Sequence, residues 1–143
     1  MRNISKHPIL VSTICFSKGA LFTILRTKEP YEDFPTLPEG PLKKSELPEA
    51  AASRILREAS GLEATQVQFL GLHTSLERIP NTRVFILSYL VRNWIGAIPL
   101  EKCRWISDWR NERLAFEEQQ LMLIEADSVI KTAMMNKALY AIR

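Results

Sequence analysis

Charged side chains are the residues of this sequence with the clearest capacity for chemistry. Glu58 follows Arg54 by four positions, a spacing that places both on one face of a helix and lets them form an ion pair. Arg26 and Arg57 are cations that would assist the binding of a phosphate group if they lie beside a phosphate pocket. The sequence therefore offers a carboxylate and several cations as candidates for a binding site.

Histidine and cysteine residues do not form a recognisable site in the sequence. His7 and His73 have no partner at a spacing typical of metal binding or general-base catalysis. Cys15 and Cys103 are too few and too far apart in sequence for a disulfide framework or a zinc site. Their apolar surroundings favour reduced, buried thiols.

The helix that carries the candidate carboxylate is predicted to run from about Pro48 to Ser60. Proline is favoured at a first helical position because its missing N–H would be unpaired there. Gly61 is well placed to end the helix in a left-handed conformation. Leu47 falls at the N-cap and has no side-chain oxygen, so either the helix start is weak or Ser45 caps it from further back.

Strands on either side of this helix predict a single α+β domain over residues 1–143. Strand-forming residues occupy 9–17, 20–26, 66–74 and 83–92, with turns at 18–19 and 79–82 and the last strand apolar enough to be central. Prolines and glycine predict a shaped loop at 27–41, and 94–104 is expected to be irregular. A helix follows from about Ala115 to Tyr140. This order predicts a mixed sheet covered by helices.

Composition indicates an ordinary globular protein, with 46% hydrophobic residues, 24% charged residues and a formal net charge of +3. Lysine and arginine are scattered, which does not favour a nucleic-acid-binding surface. No run is long enough to span a membrane, and the apolar stretch from Pro8 to Phe16 is too short and too interrupted for a signal peptide. We therefore expect a cytoplasmic protein.

The apolar stripe of the last helix is expected to face the core, with a homodimer contact as the alternative.

The stretch from Gly40 to Leu62, GPLKKSELPEAAASRILREASGL, resembles the Nudix box, G-x5-E-x7-R-E-U-x-E-E-x-G-U, in which U is a bulky aliphatic residue. Seven of the nine specified positions match without a gap: Gly40, Glu46, Arg54, Leu56, Glu58, Gly61 and Leu62. The preceding Leu-Pro-Glu-Gly at 37–40 is similar to the Leu-Pro-Gly-Gly lead-in of the family. Trp94 and Trp105 also bracket a loop as paired tryptophans do in some relatives. The chain thus resembles the MutT-like Nudix hydrolases over about residues 9 to 107.

This resemblance implies a Nudix fold, with a mixed sheet sandwiched between helices, and a pyrophosphohydrolase acting on a nucleoside diphosphate linked to another moiety. In family members Mg²⁺ or Mn²⁺ ions bridge the diphosphate and lower the pKa of the attacking water. The matching positions imply that the Gly40 carbonyl and Glu58 bind the metal. Arg26 ends a strand where relatives often carry a phosphate-contacting arginine, and Arg57 is a further substrate-binding candidate by its charge. The matching positions also imply that Glu46 and Arg54 hold loop and helix together, with Gly61 at the end of the motif.

Two departures from the box put the metal site in doubt. Ile55 and Ala59 stand where the family has glutamates. Neither side chain can bind a metal ion or act as a base. Relatives often draw an additional catalytic glutamate from later loops, and Glu101, or else Glu117 or Glu118, would supply it here.

Two functions remain open at this point. The first is a hydrolase with a reduced metal site, in which Glu58 and Glu101 carry the catalysis. The second is a binding or regulatory module that has lost catalysis and recognises a nucleotide or a protein. The hydrophobic replacement at Ile55 favours the module, because a merely weakened site would more often keep a polar residue. The unbroken spacing and the surviving Glu58 favour the hydrolase, which we prefer as the family-level function.

Overall fold

The computed structural model describes residues 8–97 and 103–142 of the chain, with side chains through residue 139. The strands are β1 (Ile9–Ile14), β2 (Phe16–Ser17), β3 (Ala20–Leu25), β4 (Pro35–Thr36), β5 (Glu39–Pro41), β6 (Glu63–Ile79), β7 (Thr82–Ile95) and β8 (Cys103–Ile106). The helices are α1 (Pro48–Ser60) and α2 (Glu117–Ile142). Within these ranges, neither helix has the length and hydrophobicity needed to cross a membrane.

The central sheet has four strands in the order β5-β1-β7-β6. Strand β1 runs parallel to β7, with Val11 opposite Leu87, while β5 and β6 are antiparallel to their neighbours. The mixed sheet expected from the sequence is confirmed, and the apolar strand at 83–92 lies inside it as part of β7. A second, antiparallel sheet has the order β2-β3-β4, and β8 pairs with β3.

The two helices cover opposite faces of the central sheet. Ala52 and Ile55 of α1 pack with Val11 and Tyr89 on one face. On the other face, the α2 residues Met122 and Leu123 belong to a cluster that includes β1 and β7 residues. The central sheet therefore has apolar side chains on both of its faces, and each face is covered by one helix. The helix–sheet–helix arrangement predicted from the sequence is therefore confirmed.

Helix α1 has the bounds that its sequence predicts. Pro48 stands at its first turn, and Gly61 follows it with a φ of 80° and donates its N–H to the carbonyl of Arg57 at 2.7 Å. No side chain caps the first turn. The alternative in which Ser45 caps the helix is wrong, because Ser45 has a φ of 65° and lies in the turn before the helix.

Several strands differ from the sequence expectation. The predicted strand 9–17 is divided at Cys15, where the chain leaves the central sheet and enters the second one. The expectation that 94–104 is irregular is wrong at both ends, since β7 continues to Ile95 and β8 begins at Cys103. The length of a strand depends on its backbone hydrogen bonds to the neighbouring strand, and these form at polar residues as well as at apolar ones.

Burial raises the pKa of the Cys15 thiol to about 12, which keeps this thiol protonated.

Candidate functional site

Arg54 ties the loop before α1 to the helix itself. Its Nε donates to Oε2 of Glu46 at 2.8 Å, and its Nη2 donates to Oε1 of the same carboxylate at 3.0 Å and to the carbonyl of Pro41 at 2.8 Å. Its Nη1 donates to Oε1 of Glu58 at 2.7 Å. These bonds raise the pKa of Arg54, lower the pKa of Glu46 to about 2 and lower the pKa of Glu58. The loop and the helix are thus fixed by one charged group with three partners.

Ile55 fills the space beside the loop at Gly40. The side chain of Ile55 is only 5% exposed and packs with Val11 and Tyr89. A methyl group added at Gly40 would lie 3.1 Å from Cγ1 of Ile55, closer than ordinary van der Waals contact. Glycine at this position therefore allows the loop backbone to rest against the isoleucine. The position where the family pattern has a glutamate is part of the hydrophobic core.

A two-part cleft lies between β3, β5 and the carboxyl end of α1. The loop-side half has a volume of about 270 Å³ and is lined by Ile24, Leu25, Arg26, Thr27, Lys28, Thr36, Leu37, Glu39 and Ala59. The helix-side half has a volume of about 290 Å³ and is lined by Ile24, Pro38, Glu39, Gly40, Pro41, Arg54, Ile55, Glu58 and Ala59. The halves share the lining residues Ile24, Glu39 and Ala59, so they lie side by side.

Two cations lie on the loop-side half. Arg26 is held by its own loop, since its Nε donates to the carbonyls of Lys28 at 3.1 Å and Pro30 at 2.6 Å. Its guanidinium carbon also lies 4.9 Å from the ring centre of Phe116. Burial lowers the pKa of Arg26 from its usual value, but a guanidinium stays charged in proteins. Arg26 and Lys28 thus bring two positive charges to this half of the cleft, beside the carboxylate of Glu39.

Glu39, the carboxylate shared by both halves, is engaged in a buried ion pair. Both of its oxygens accept hydrogen bonds from Arg78 of β6 at 3.0 Å, and Arg78 also pairs with Glu118. Gln119 donates a further hydrogen bond to Glu39 at 3.0 Å. Sequence analysis missed Glu39, Arg78 and Gln119 as residues of this region. The only signal for them was the replacement of a glycine by Glu39 in the family's lead-in.

The structure brings some of the predicted site residues to the cleft and leaves others elsewhere. Gly40, Glu58 and Arg26 line it, and Glu46 and Arg54 support its wall. Arg57 is not among the residues that line the two halves. Its side chain is half-exposed, and its Nη1 lies 3.9 Å from Oε2 of Glu63. The other predicted glutamates are placed as follows: Glu101 lies outside the described residues, Glu117 lines a separate depression with Tyr31 and Glu77, and Glu118 pairs with Arg78.

A divalent metal cluster does not fit the donor set of this cleft. In the parts of the chain that the structure describes, no three His, Cys, Asp or Glu side chains are grouped so that they could hold a metal ion. Glu39 is engaged with Arg78, and Glu58 with Arg54. Ile55 and Ala59 offer no oxygen where the family pattern has carboxylates. Hard cations such as Mg²⁺ require several oxygen ligands, and among the described residues that line the cleft Glu58 is the one carboxylate outside a buried ion pair.

The fold is shared with solved structures of low sequence identity. The MutT NUDIX hydrolase from Burkholderia pseudomallei is 16% identical, with a TM-score of 0.75 over 85% of this chain and 98% of the other. The NUDIX domain of Shewanella oneidensis NrtR, solved in complex with ADP ribose, is 16% identical, with a TM-score of 0.70 over 89% and 90%. A bifunctional NMN adenylyltransferase/ADP ribose pyrophosphatase from Francisella tularensis, solved with AMP and a Mn ion, is 17% identical, with a TM-score of 0.67 over 89% and 43%. These likenesses concern the fold alone.

Sequence comparison identifies the family more directly. A search of the curated proteins found no match. The model of the NUDIX domain matches residues 6–134, which is most of the chain. This match, the helix–sheet–helix fold and the loop–helix unit tied by Arg54 agree with one another, and the chain belongs to the NUDIX domain family.

Proposed function

We propose that this Nudix domain binds a nucleotide carrying a diphosphate group in the two-part cleft, as a ligand-binding module and not as an efficient hydrolase. The observation that carries this proposal is the burial of Ile55 against Gly40, with the side chain 5% exposed. Ile55 lines the helix-side half and also packs in the core between α1 and the sheet, so it offers an apolar surface where a carboxylate would offer oxygen ligands. Burial of an isoleucine side chain stabilises the fold by about 2 kcal/mol, so this replacement favours stability over catalysis.

The charge of the cleft supports an anionic ligand. Arg26 and Lys28 line the loop-side half, and Glu39 forms an ion pair with Arg78. A diphosphate would gain charge-assisted hydrogen bonds from these cations. The apolar side chains of Ile24, Leu25 and Leu37 in the same half provide a surface for the less polar part of a nucleotide.

The choice of a nucleotide also draws on the solved relatives. One of them is described as a complex with ADP ribose and another as a complex with AMP and a Mn ion. Both ligands contain an adenosine phosphate. We take a nucleoside diphosphate derivative as the first ligand class to test, and ADP ribose as its first representative.

A second candidate function is slow hydrolysis of the same ligand class with a single Mg²⁺ or Mn²⁺ ion. The observation that favours it is the exposure of Glu58, whose side chain is 56% exposed and lines the helix-side half together with Gly40. An ion would have to compete with Arg54 for this carboxylate. The geometry thus offers one side-chain ligand where family members use several.

The deciding experiment measures binding and turnover on the same preparation. ADP ribose and other nucleoside diphosphate derivatives are titrated by calorimetry, and phosphate-ester products are assayed with Mg²⁺ or Mn²⁺. We expect binding without turnover above the background reaction. Lys28→Gln should weaken binding about tenfold, because one cation facing the phosphates is removed.

The control variants separate the two candidates. Glu63→Gln is the matched control for Glu58→Gln, since the two glutamates are 52% and 56% exposed. Turnover that collapses in Glu58→Gln and persists in Glu63→Gln would establish the single-ion hydrolase. If no nucleotide in the panel binds, both the ligand-binding module and the slow hydrolase are refuted.

A further inference from the structure

We propose that Arg78 is the resident cation of this cleft, a positioning residue that pairs with both Glu39 and Glu118 in the place that a divalent ion would otherwise take. The inference rests on the proposed function, because pairing with Arg78 lowers the repulsion between Glu39 and an anionic ligand without a metal ion. It concerns a residue outside the Nudix box. Arg78 acts through Glu39, which lines both halves of the cleft.

The contacts of Arg78 are those of a bridging cation. Its Nε and Nη2 donate to the two oxygens of Glu39 at 3.0 Å each, a bidentate geometry. Its Nη1 pairs with Glu118 at the start of α2. One guanidinium thus joins carboxylates that come from β5 and α2, 79 residues apart in the chain.

The cluster is almost completely removed from water. The side chains of Arg78, Glu39 and Glu118 are 4%, 10% and 14% exposed. The guanidinium carbon of Arg78 lies 3.5 Å from the ring centre of Phe116, so one face of the cation is covered by an aromatic ring. Charges that are buried to this degree must be paired, because an isolated buried carboxylate is strongly destabilising. Removal of Arg78 would therefore leave two carboxylates in need of a cation.

Further oxygen atoms are present at the same place. Gln119 is fully buried, and its Nε2 donates to Glu39 at 3.0 Å and to the hydroxyl of Thr36 at 2.9 Å. Its Oε1 has no hydrogen-bond donor among the described residues. Two carboxylates, an amide oxygen and a hydroxyl are the ligand types that Mg²⁺, Mn²⁺ and Ca²⁺ take. In the native protein, the guanidinium of Arg78 occupies the position between the carboxylates, and a divalent ion would meet its positive charge.

The test follows thermal unfolding of the full chain with and without Mn²⁺ at matched ionic strength, with no nucleotide present. We expect Mn²⁺ to leave the melting temperature of the native protein unchanged to within about 1 °C and to raise that of Arg78→Ala by about 5 °C or more. Loss of the free Mn²⁺ signal in electron paramagnetic resonance should accompany the second effect only. Arg78→Lys, which keeps a cation, should behave as the native protein does.

Two controls connect the response to the cluster. Arg78→Ala combined with Glu118→Gln should lose the Mn²⁺ response, because one carboxylate no longer carries charge. Arg104→Ala removes an arginine that is 52% exposed and lies 3.4 Å from Glu112. It should show no response, since a carboxylate left in contact with water needs no replacement cation.

Arg78→Met is a second variant, whose side chain keeps apolar contact with the ring of Phe116, and it should show the same Mn²⁺ response as Arg78→Ala. The proposal is overturned if Mn²⁺ stabilises the native protein as much as the variants, or if the folded variants bind no Mn²⁺. It is also overturned if Mn²⁺ fails to restore folding in variants that do not fold alone. Because no nucleotide is present, these outcomes are independent of the titrations that test the proposed function.

Discussion

At the scale of single residues, Arg54 decides the geometry of the loop–helix unit. Its planar guanidinium serves Glu46, Glu58 and the carbonyl of Pro41 at the same time, which the single ammonium group of a lysine could not do with the same geometry. Helix α1 has no side-chain cap at its first turn. The pair of Arg54 with Glu46 is therefore the main polar link between the loop and this helix.

This pair predicts a pH dependence of stability. The pKa of Glu46 is lowered from 4.5 to about 2, chiefly by its hydrogen bonds with Arg54. A carboxylate with a depressed pKa in the folded state contributes stability that is fully present above its unfolded pKa and is lost as the pH falls toward the folded pKa. The contribution of Glu46 should thus be present above pH 4.5 and disappear toward pH 2. Glu46→Gln should lower the urea midpoint of unfolding at neutral pH and have a much smaller effect on this midpoint near pH 2.

The control for this prediction is Glu63→Gln, which removes a half-exposed carboxylate 3.9 Å from Arg57. Such exposed pairs contribute little to stability. The urea midpoint of this variant should stay close to that of the native protein at both ends of the pH range. A midpoint difference for Glu46→Gln that does not shrink on acidification would contradict the assignment.

At the scale of elements, the end of α1 depends on Gly61. Its φ of 80° lies in the left-handed region, which side chains other than glycine adopt at a cost. A methyl group at this position would meet no heavy atom of the described residues within 4 Å, so the obstacle to a side chain is the backbone conformation. The turn made here leads directly into β6 and sets where that strand begins.

Gly61→Ala should therefore destabilise the protein by about 1 kcal/mol, through backbone strain and not through steric conflict. Gly61→Asn should cost less, because asparagine tolerates the left-handed conformation better than alanine. The free energy of unfolding in urea measures both effects. Equal stability of the alanine and glycine proteins would show that the turn relaxes to another conformation.

At the scale of the whole molecule, one hydrophobic cluster joins both sheets to α2. It contains Ile14 and Ile86 of the central sheet, Leu21 and Ile106 of the second sheet, and Leu123 of α2. Because each of these elements buries apolar surface against the others, none is expected to unfold alone. The two sheets and α2 should behave as one cooperative unit.

Two leucines of α2 that lie two positions apart provide a matched test of this cooperativity. Leu123 is fully buried, whereas the side chain of Leu121 is 57% exposed. Leu123→Ala should destabilise the chain by about 3 kcal/mol, and Leu121→Ala should change stability by less than about 0.5 kcal/mol. Tryptophan fluorescence and far-UV circular dichroism should report the same urea midpoint for each variant. Separate midpoints for the two probes would disprove the single unit.

Local features of the fold could be predicted from the sequence. Helix α1, its proline start and its glycine end follow from the conformational preferences of a few neighbouring residues. The turn at Lys18–Gly19 and the apolar character of the strand within β7 are local in the same sense. The loop–helix motif also belongs here, because its matching positions lie within one continuous stretch. These features depend on residues that are close in sequence, so they can be predicted without the tertiary structure.

Tertiary structure alone decided which distant residues meet at the cleft. Glu39 and Arg78 meet although they lie in β5 and β6, the two outer strands of the central sheet, and α2 adds Glu118 and Gln119 beside them. The division of the first predicted strand at Cys15 and the true ends of β7 and β8 depend on which strands form hydrogen-bonded ladders. Likewise, the sequence shows only that Ile55 stands where the family pattern has a glutamate. The tertiary structure shows that its side chain fills the space beside Gly40. Burial and charge pairing depend on neighbours distant in the chain, and these neighbours are fixed only when the sheet and helices assemble.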